Sequence, residues 1–362
     1  MSLLPDRASR GTASVVGWIL LIGAVAGTVV LGTLPAPYVI EKPGPVYDTI
    51  GEIELEGEAV PVIEIDGEQT YPTSGTLDML TVTLQGNPQS PLSWIDIALA
   101  WFDPTRAVLP LEAVYPDGQT SDEANQEAAV DMVDSQQEAA AAALSELGIA
   151  YTSIVTVSGV LEGAPADGVL EAGDRILTVD GEQIDGVTQL RTVLAAAGVG
   201  TTVTLGITRG DENLEVELAP AAADDGSPII GIETGAEFDF PFDVTVNLGD
   251  VGGPSAGMML ALGTYDKLTP GALTDGERIA GTGTITADGE VGAIGGIRQK
   301  MYGAQDAGAD WFLAPASNCD EVVGHIPAGL EVFSVSTLDE ALQTVETIAD
   351  EGDTSTLARC GS

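Results

Sequence analysis

The sequence predicts a multidomain α+β protein in which one N-terminal transmembrane helix is followed by a β-rich module and then by an α/β domain. An uncharged, predominantly apolar run fills residues 13–34. Strand-like alternation dominates residues 151–219, and strand-like and helix-like runs alternate through residues 229–349. The chain of 362 residues is long enough for two or three domains that each bury a core.

The composition is strongly acidic. Lysine and arginine together number 12 against 56 aspartates and glutamates, which gives a formal net charge of -44. Such a surface repels phosphate groups, which argues against nucleic acid as a partner and against binding of anionic lipid by the folded part. Two cysteines and one histidine also argue against a structural zinc site. We therefore predict no metal and no cofactor, and interpret the scattered acids as a solubilising surface.

Residues 13–34 predict a membrane-spanning helix, because an uncharged run of 22 residues can cross a bilayer. Arg7 and Arg10 precede the run, whereas the flank after it is acidic and proline-rich. The positive-inside rule then places residues 1–12 in the cytoplasm and the following domains outside it, as a single-pass protein of the cell membrane. The alternative is a signal peptide that is cleaved near "LGTLPAP".

Residues 35–119 predict a membrane-proximal, β-rich region, since a proline-rich connector leads into alternating strand-like segments. Its segment "SPLSWIDIALAWFDPTRAVLPL" contains Trp94, Trp101 and Phe102. These aromatic residues either form the core of this region or lie at the bilayer interface, where tryptophan is enriched.

A long helix is predicted over residues 120–148. Thr120 and Glu123 have the spacing of a capping box, and the alanine-rich stretch that follows ends at Gly148. The alanines suit close packing and carry no chemistry.

Residues 149–220 alternate like strands around one predicted helix, "GVTQLRTVLAAAG". Within them, "GAPADGVLEAGDRILTVDGEQI" resembles bacterial PDZ domains in the order of its Ala-Pro-Ala, Gly-Asp and Asp-Gly groups. The resemblance implies capture of a peptide ligand by strand addition, between the first strand and the helix near Gln189. No clear carboxylate-binding loop precedes "SIVTV", so an internal segment, an intramolecular role or a plain spacer are alternatives. Residues 221–228 are predicted to be a linker.

The domain predicted for residues 229–349 contains "NLGDVGGPSAGMMLALGTYDKL", in which a serine lies between a strand and an apolar helix. Gly253 and Pro254 allow a sharp turn, and proline suits the first turn of a helix. Ser255 is therefore expected at a helix N-terminus. There the backbone N–H groups of the turn, including that of Ala256, favour a developing oxyanion.

A serine nucleophile needs a base, and the chain offers few candidates. There is one histidine, His325, in an apparent loop, and three lysines, Lys42, Lys267 and Lys300. Lys300 follows two glycines on a predicted helix, where burial can lower its pKa by several units and yield a neutral amine. On spacing alone, a surface lysine on an amphipathic helix is an equal alternative.

Three blocks of sequence follow one another between residues 251 and about 322: "GGPSAG", "IAGTGTITADGEVGAIGG", and "IRQK" followed by "AGADWFLAPASNCDE". Together they resemble the proteolytic domain of Lon proteases. The resemblance implies that Ser255 is the nucleophile and Lys300 its general base in a Ser-Lys dyad. It also implies that Thr282 helps to orient the dyad, with Thr284 as the neighbouring alternative.

The order of segments resembles the membrane-anchored Lon-like serine proteases with a PDZ domain. Two features depart from Lon itself: Gly252 stands where an acidic residue often precedes "GPSAG", and no G-x-x-x-x-G-K-[ST] loop for ATP occurs. The resemblance then implies an ATP-independent serine endopeptidase of the cell envelope that cleaves unfolded or flexible polypeptides. The alternatives are a PDZ-type binding scaffold with a silent protease domain, and a protease that processes only itself.

Cys319 and Cys360 are the only cysteines. In an oxidising compartment they could form one disulfide that holds the polar tail, residues 350–362, against the last domain. Lon-type domains commonly form rings, so a homo-oligomer is expected by family analogy alone.

Overall fold

The computed structural model describes residues 8–361, apart from residues 56, 117, 224 and 225. Helix α1 (Ala8–Thr33) contains a stretch, Val15–Thr33, that is long and apolar enough to cross a membrane, and none of this stretch is buried. It is therefore a candidate membrane anchor or signal sequence. Arg7 and the other residues of the predicted tail up to residue 7 lie outside the described residues.

The next segment contains the strands and helices that precede the middle module. They are β1 (Tyr38–Asp48), β2 (Glu52–Leu55), β3 (Glu58–Pro61), β4 (Ile63–Asp66), β5 (Thr76–Gln85), α2 (Trp94–Ala100), β6 (Ala107–Pro110), α3 (Leu111–Val114) and α4 (Ser121–Glu146). Helix α4 begins with the capping box that its sequence predicts. The Thr120 hydroxyl accepts from the Glu123 N–H at 3.2 Å, and the Glu123 carboxylate accepts from the Thr120 N–H at 2.8 Å.

The middle module and the strand that follows it consist of β7 (Thr152–Val160), β8 (Arg175–Val179), β9 (Glu182–Gln183), α5 (Val187–Ala197), β10 (Val203–Arg209), β11 (Glu212–Leu218), β12 (Ala221–Ala222), β13 (Pro228–Ile229) and β14 (Ile232–Asp239). The linker predicted for residues 221–228 contains β12 and the first residue of β13, and these two strands pair with each other. Residues 224 and 225 between them lie outside the described residues.

The last part of the chain contains β15 (Asp243–Val246), α6 (Gly257–Leu268), β16 (Arg278–Gly281), β17 (Thr284–Ile285), β18 (Val291–Gly292), α7 (Ile297–Ala307), β19 (Trp311–Pro315), α8 (Cys319–Val322), β20 (Glu331–Val335) and α9 (Leu338–Ala349).

One mixed sheet, in the order β20-β19-β16-β5-β1-β6, unites strands from both sides of the middle module. Strand β5 runs parallel to β16 and antiparallel to β1. It is buried on both faces, since Leu77 and Met79 contact one core and Leu80 the other. Strands from the membrane-proximal region 35–119 thus share a sheet with strands of the region 229–349. The sequence did not suggest this union, because the partner strands are separated by the whole middle module.

Helices cover both faces of this sheet. Residues of α4, α6 and α9 enter one core, among them Met132, Leu260 and Val345, and residues of α7 and α8 enter the other, among them Met301 and Val322. Full burial of such side chains contributes about 1.5–3 kcal/mol each. The first eight residues of α6 are all buried, so the N-terminus of this helix has a fixed position in the domain.

The second sheet has the order β11-β10-β8-β7-β14, with β9 paired to β8. Strand β14 pairs with β7 in antiparallel register, from Ile232 opposite Val160 to Asp239 opposite Thr152. The prediction that a peptide ligand lies directly beside the first strand is therefore wrong in position, because this edge of β7 is already occupied by the chain's own β14. Phe238 of β14 secures the pairing by an edge contact with Tyr151, with ring centroids 5.8 Å apart.

Candidate active site

Ser255 lies in a short 3-10 turn, Pro254–Ala256, that leads directly into α6. Gly253 precedes the turn with φ of 88°, a left-handed conformation that suits glycine. Helix α4 holds this turn from outside: the Gly253 N–H donates to the Ala128 carbonyl at 2.7 Å, and the Ser135 hydroxyl donates to the Pro254 carbonyl at 3.0 Å. The serine is thus presented at a helix N-terminus by a turn with a rigid support.

The backbone of the serine is also fixed from the inside of the domain. Its carbonyl accepts the Gly283 N–H at 3.0 Å and the Thr282 hydroxyl at 2.9 Å. The Met258 N–H in turn donates to the Gly283 carbonyl at 3.0 Å. The segment that joins β16 to β17 therefore holds the start of α6 at two successive points.

Lys300 reaches the serine from the second turn of α7. Its Nζ lies 2.6 Å from Ser255 Oγ and 3.0 Å from Thr282 Oγ1, both within hydrogen-bond distance. The lysine is 1% exposed. Thr282 thus contacts both the side chain of the lysine and the backbone of the serine, whereas Thr284 pairs with Gly292 in the β17–β18 hairpin.

Burial dominates the electrostatics of this lysine. It lowers the pKa of Lys300 to about 8, because the charged ammonium is poorly solvated in the interior. The negative charge of Glu41, on β1, opposes this effect. Burial raises the pKa of Glu41, and the charge of Lys300 partly counteracts that rise. At pH 7 roughly one lysine in ten would be neutral by ordinary titration, which provides a usable base.

Glu41 is a feature of the site that the sequence did not reveal. The side chain is buried, and its Oε1 would lie only 2.7 Å from a Cβ placed on Gly296, the residue that precedes α7. Gly296 also has a left-handed backbone, with φ of 69°. Glu41 therefore packs against the start of the helix that carries Lys300. No local pattern marks it, since it lies on an ordinary strand far from the lysine in sequence.

His325 is exposed, and its Nδ1 lies 3.1 Å from the Val323 carbonyl. Among the residues that the structure describes, the basic group in contact with Ser255 is Lys300. Within the same part of the chain, no group of three or more His, Cys, Asp or Glu side chains could hold a metal ion.

A cleft of about 730 Å³ opens at Ser255. Its walls combine apolar side chains from β1, β2, β5 and α4 with the loop of residues 248–252. A second cleft of about 1080 Å³ adjoins it along the same loop. The lining of the first cleft is mostly apolar, with the two acids Glu54 and Asp250. Polar side chains such as Asn87, Asn125 and Gln136 line the second cleft. The two clefts share the walls formed by Leu55, Val82 and Met132, and their combined volume is larger than a small compact molecule needs.

The C-terminal residues are fastened beside α7. Cys319 and Cys360 form a disulfide, with Cα atoms 4.9 Å apart. The neighbouring Asn318 exchanges two hydrogen bonds of 2.9 Å with the backbone of Ile294. These contacts hold the segment just before α7, and thereby help to position the helix of Lys300.

Comparison with known proteins assigns two regions of the chain. Residues 243–347 match the family model of the Lon protease (S16) C-terminal proteolytic domain, and residues 128–219 match that of the PDZ domain. The fold and the site thus define a mixed α/β protein with a proteolytic domain of the S16 serine peptidase type. More particularly, the chain carries a PDZ domain followed by a Lon-type proteolytic domain, which confirms the predicted fold class.

Curated Lon proteases are similar to part of this chain. Lon protease 1 of Sorangium cellulosum is 41% identical over 93 residues, which is 25% of this chain and 11% of that protein. Lon protease 2 of Herpetosiphon aurantiacus is 35% identical over 155 residues, 40% of this chain and 18% of that protein. The aligned part of the chain thus spans less than a fifth of the length of either relative.

Among solved structures, the PDZ domain of the SdrC-like protein from Listeria monocytogenes is 31% identical. The match covers 22% of this chain and 85% of that one, with a TM-score of 0.22.

Proposed function

We propose that this chain is an ATP-independent serine endopeptidase of the cell envelope, in which Ser255 and Lys300 form the catalytic dyad. The observation that carries the proposal is the 2.6 Å contact between Ser255 Oγ and the Nζ of a buried lysine. An activated serine is expected to lie within hydrogen-bond distance of its base, and a third group is expected to orient that base. Thr282 is that third group.

In the proposed reaction, the neutral amine of Lys300 accepts the hydroxyl proton while Ser255 Oγ bonds to the carbonyl carbon of a peptide. The resulting ammonium then protonates the leaving amine as the C–N bond breaks, which leaves an acyl-enzyme. Water attacks the ester carbon while the again neutral lysine accepts its proton. The lysine returns this proton to Ser255 Oγ as the ester bond breaks and the carboxylic product leaves.

We assign the oxyanion to the backbone N–H groups of Ser255 and Ala256. Pro254 has no N–H, and the Gly253 N–H is already donated to Ala128. The two remaining groups of the turn lie at the start of α6, where the helix dipole favours negative charge. Gly253 and Pro254 thus shape the turn, and the N–H groups of Ser255 and Ala256 stabilise the negative charge of the oxyanion.

The proposed substrates are unfolded or flexible polypeptides. The groove is lined by apolar side chains next to Ser255 and by more polar ones in the adjoining cleft, and the sequence contains no phosphate loop that would supply ATP-driven unfolding. A folded protein would have to present a loose segment to reach the serine.

We assign the PDZ domain a capture or gating role that acts through β14. This strand ends the PDZ sheet on one side. It leads through β15, which pairs with β4, to the loop before Ser255. A second contact joins the domains where the Thr188 hydroxyl of α5 donates to the Asp288 carboxylate, in the turn between β17 and β18. A polypeptide that adds to the outer edge of β14 could therefore restrain the catalytic loop.

The test uses the full chain in detergent micelles, with cleavage of a dye-labelled unfolded protein and of the enzyme's own chain as readouts. Ser255→Ala and Lys300→Ala should each lower turnover of both by about 10² or more. Ser158→Ala and Lys267→Ala are matched controls, and they should retain activity because neither residue contacts the site. Added ATP should change nothing.

Three outcomes would contradict the proposal in different ways. Turnover that persists in both site variants would exclude the dyad. A wild-type chain that cuts neither substrate would favour a binding scaffold, and one that cuts only itself would favour autoprocessing.

A further inference from the structure

A cluster of large apolar side chains projects from the end of α2 into solvent. Leu99 is 65% exposed, Trp101 is 63% exposed and Phe102 is 88% exposed. They lie within four consecutive residues, so they form one small patch. Single exposed apolar residues are ordinary, but an aromatic pair beside an exposed leucine indicates a contact surface.

The core of this region does not require these three residues. Helix α2 buries Ile97 and Ala100 on its inner side, and Trp94 packs there by an edge contact with Tyr38, with ring centroids 5.7 Å apart. The sequence left two interpretations of this aromatic segment, core of the region or contact with the bilayer interface, and they apply to different residues. Trp94 belongs to a small core, and the patch of Leu99, Trp101 and Phe102 remains without a partner within the part of the chain that the structure describes.

The patch is held at the end of the apolar helix α1. The Ala36 N–H donates to the Leu92 carbonyl at 2.8 Å, and Pro35 forms a β-bridge with Ser93. Gly32, in the last turn of α1, lies close enough to α2 that an added Cβ would be 3.3 Å from Ile95 Cδ1. Helix α2 thus packs directly against the end of the candidate membrane span and the residues that follow it.

We infer that Leu99, Trp101 and Phe102 insert into the interfacial layer of the bilayer in which α1 ends, an inference that rests on the proposed membrane location. Amphipathic aromatic rings favour this layer. Ile95, which lies beside Gly32 of α1, is one turn before Leu99 on the same side of α2, so the patch lies next to the unburied apolar surface of α1. This position argues for lipid rather than for a second copy of the chain. The net charge of -44 also opposes self-association at this small surface and favours zwitterionic over anionic lipid.

This contact would orient the proteolytic domain. Helix α2 packs against β1 and β6, and β6 is one edge of the mixed sheet whose other edge is β20. Two points of attachment, α1 and the patch, would therefore hold the β6 edge at the membrane and the β20 edge away from it. A single helix alone would leave the domain free to rotate about its axis.

The test uses depth-dependent fluorescence quenching with the full chain in phosphatidylcholine vesicles. The chain has four tryptophans, and three of them are replaced by phenylalanine to leave Trp101, Trp18 or Trp311 as the single reporter. Brominated phosphatidylcholine, with the bromine placed near the headgroup or deep in the acyl chains, serves as the quencher. Circular dichroism checks that each variant is folded.

The inference predicts that Trp101 is quenched more by shallow than by deep bromine, that Trp18 in α1 is quenched, and that Trp311 is not. Replacing Leu99 and Phe102 with serine should reduce the quenching of Trp101 and leave that of Trp18 unchanged. An unquenched Trp101 beside a quenched Trp18 would overturn the inference and leave the anchor intact. If Trp18 is also unquenched, both the membrane location and the inference fail. A Trp101 emission that depends on protein concentration and not on bromine would assign the patch to a second copy instead.

Discussion

Replacing Lys300 with methionine should abolish proteolysis and, at neutral pH, remove an energetic cost to folding. The pKa of Lys300 falls from 10.5 to about 8 on folding, because burial disfavours the ammonium. Each pKa unit is worth about 1.4 kcal/mol, so the protonated lysine costs about 3 kcal/mol at pH 7. Methionine has a similar length and no charge, so the variant avoids this cost.

The pH dependence follows from the sign of the shift. The unfolded chain binds the proton more tightly, so the cost is complete below pH 8 and disappears as the pH rises past 10.5. By pH 10 it should have fallen to about 1 kcal/mol. The methionine variant also loses hydrogen bonds to Ser255 and Thr282, but that loss is nearly independent of pH and cancels when two pH values are compared.

The assay is thermal unfolding of the full chain in detergent, for wild type and Lys300→Met, at pH 7 and pH 10. The melting temperature of the variant relative to wild type should be higher at pH 7 than at pH 10, by several degrees. Lys267→Met is the comparison: burial lowers the pKa of Lys267 too, but nearby acids partly offset the shift, so its melting temperature should change less between the two pH values. If the difference in melting temperature between Lys300→Met and wild type is the same at pH 7 and pH 10, the claim that burial lowers the pKa of Lys300 is refuted.

Three further predictions concern the surroundings of the dyad. Glu41→Gln should lower the pKa of Lys300, because the Glu41 charge raises it, and so shift the acidic limb of the pH profile of kcat/KM to lower pH; Glu54→Gln should not. Thr282→Val should reduce kcat about tenfold by removing contacts to both dyad residues, whereas Thr284→Val should not. Opening the disulfide, which closes a loop of 41 residues, should cost about 4 kcal/mol, measured as a lower melting temperature under reducing conditions. The first prediction is contradicted if Glu41→Gln leaves the pH profile unshifted. The second is contradicted if the two threonine variants have equal effects, and the third if reduction leaves the melting temperature unchanged.

The sequence predicted the parts of the site that depend on residues adjacent in the chain. The glycines and proline around Ser255 specify a turn into an apolar helix, and the position of Lys300 followed from a family resemblance. The burial that lowers its pKa could not be derived from spacing, because the same helix pattern also fits a surface lysine. Only the packing of α7 against the sheet decides between the two.

The features that the sequence missed all depend on contacts between distant segments. Glu41 approaches the start of α7 because β1 and β5 join the sheet of β16 and β19. Ser135 supports the serine turn from α4, which was expected to serve packing alone. Strand β14 completes the PDZ sheet although it follows the predicted linker. Strand pairing across an intervening domain leaves no periodic signal in either partner.

The measurement that tests the central claim most directly is the rate at which a fluorophosphonate labels Ser255, followed by peptide mass spectrometry across pH 6 to 10. The proposal predicts labelling at Ser255 whose rate rises with an apparent pKa near the value of about 8 for Lys300, and no labelling in Lys300→Met. Equal labelling of wild type and Lys300→Met, or modification of a different serine, would contradict it.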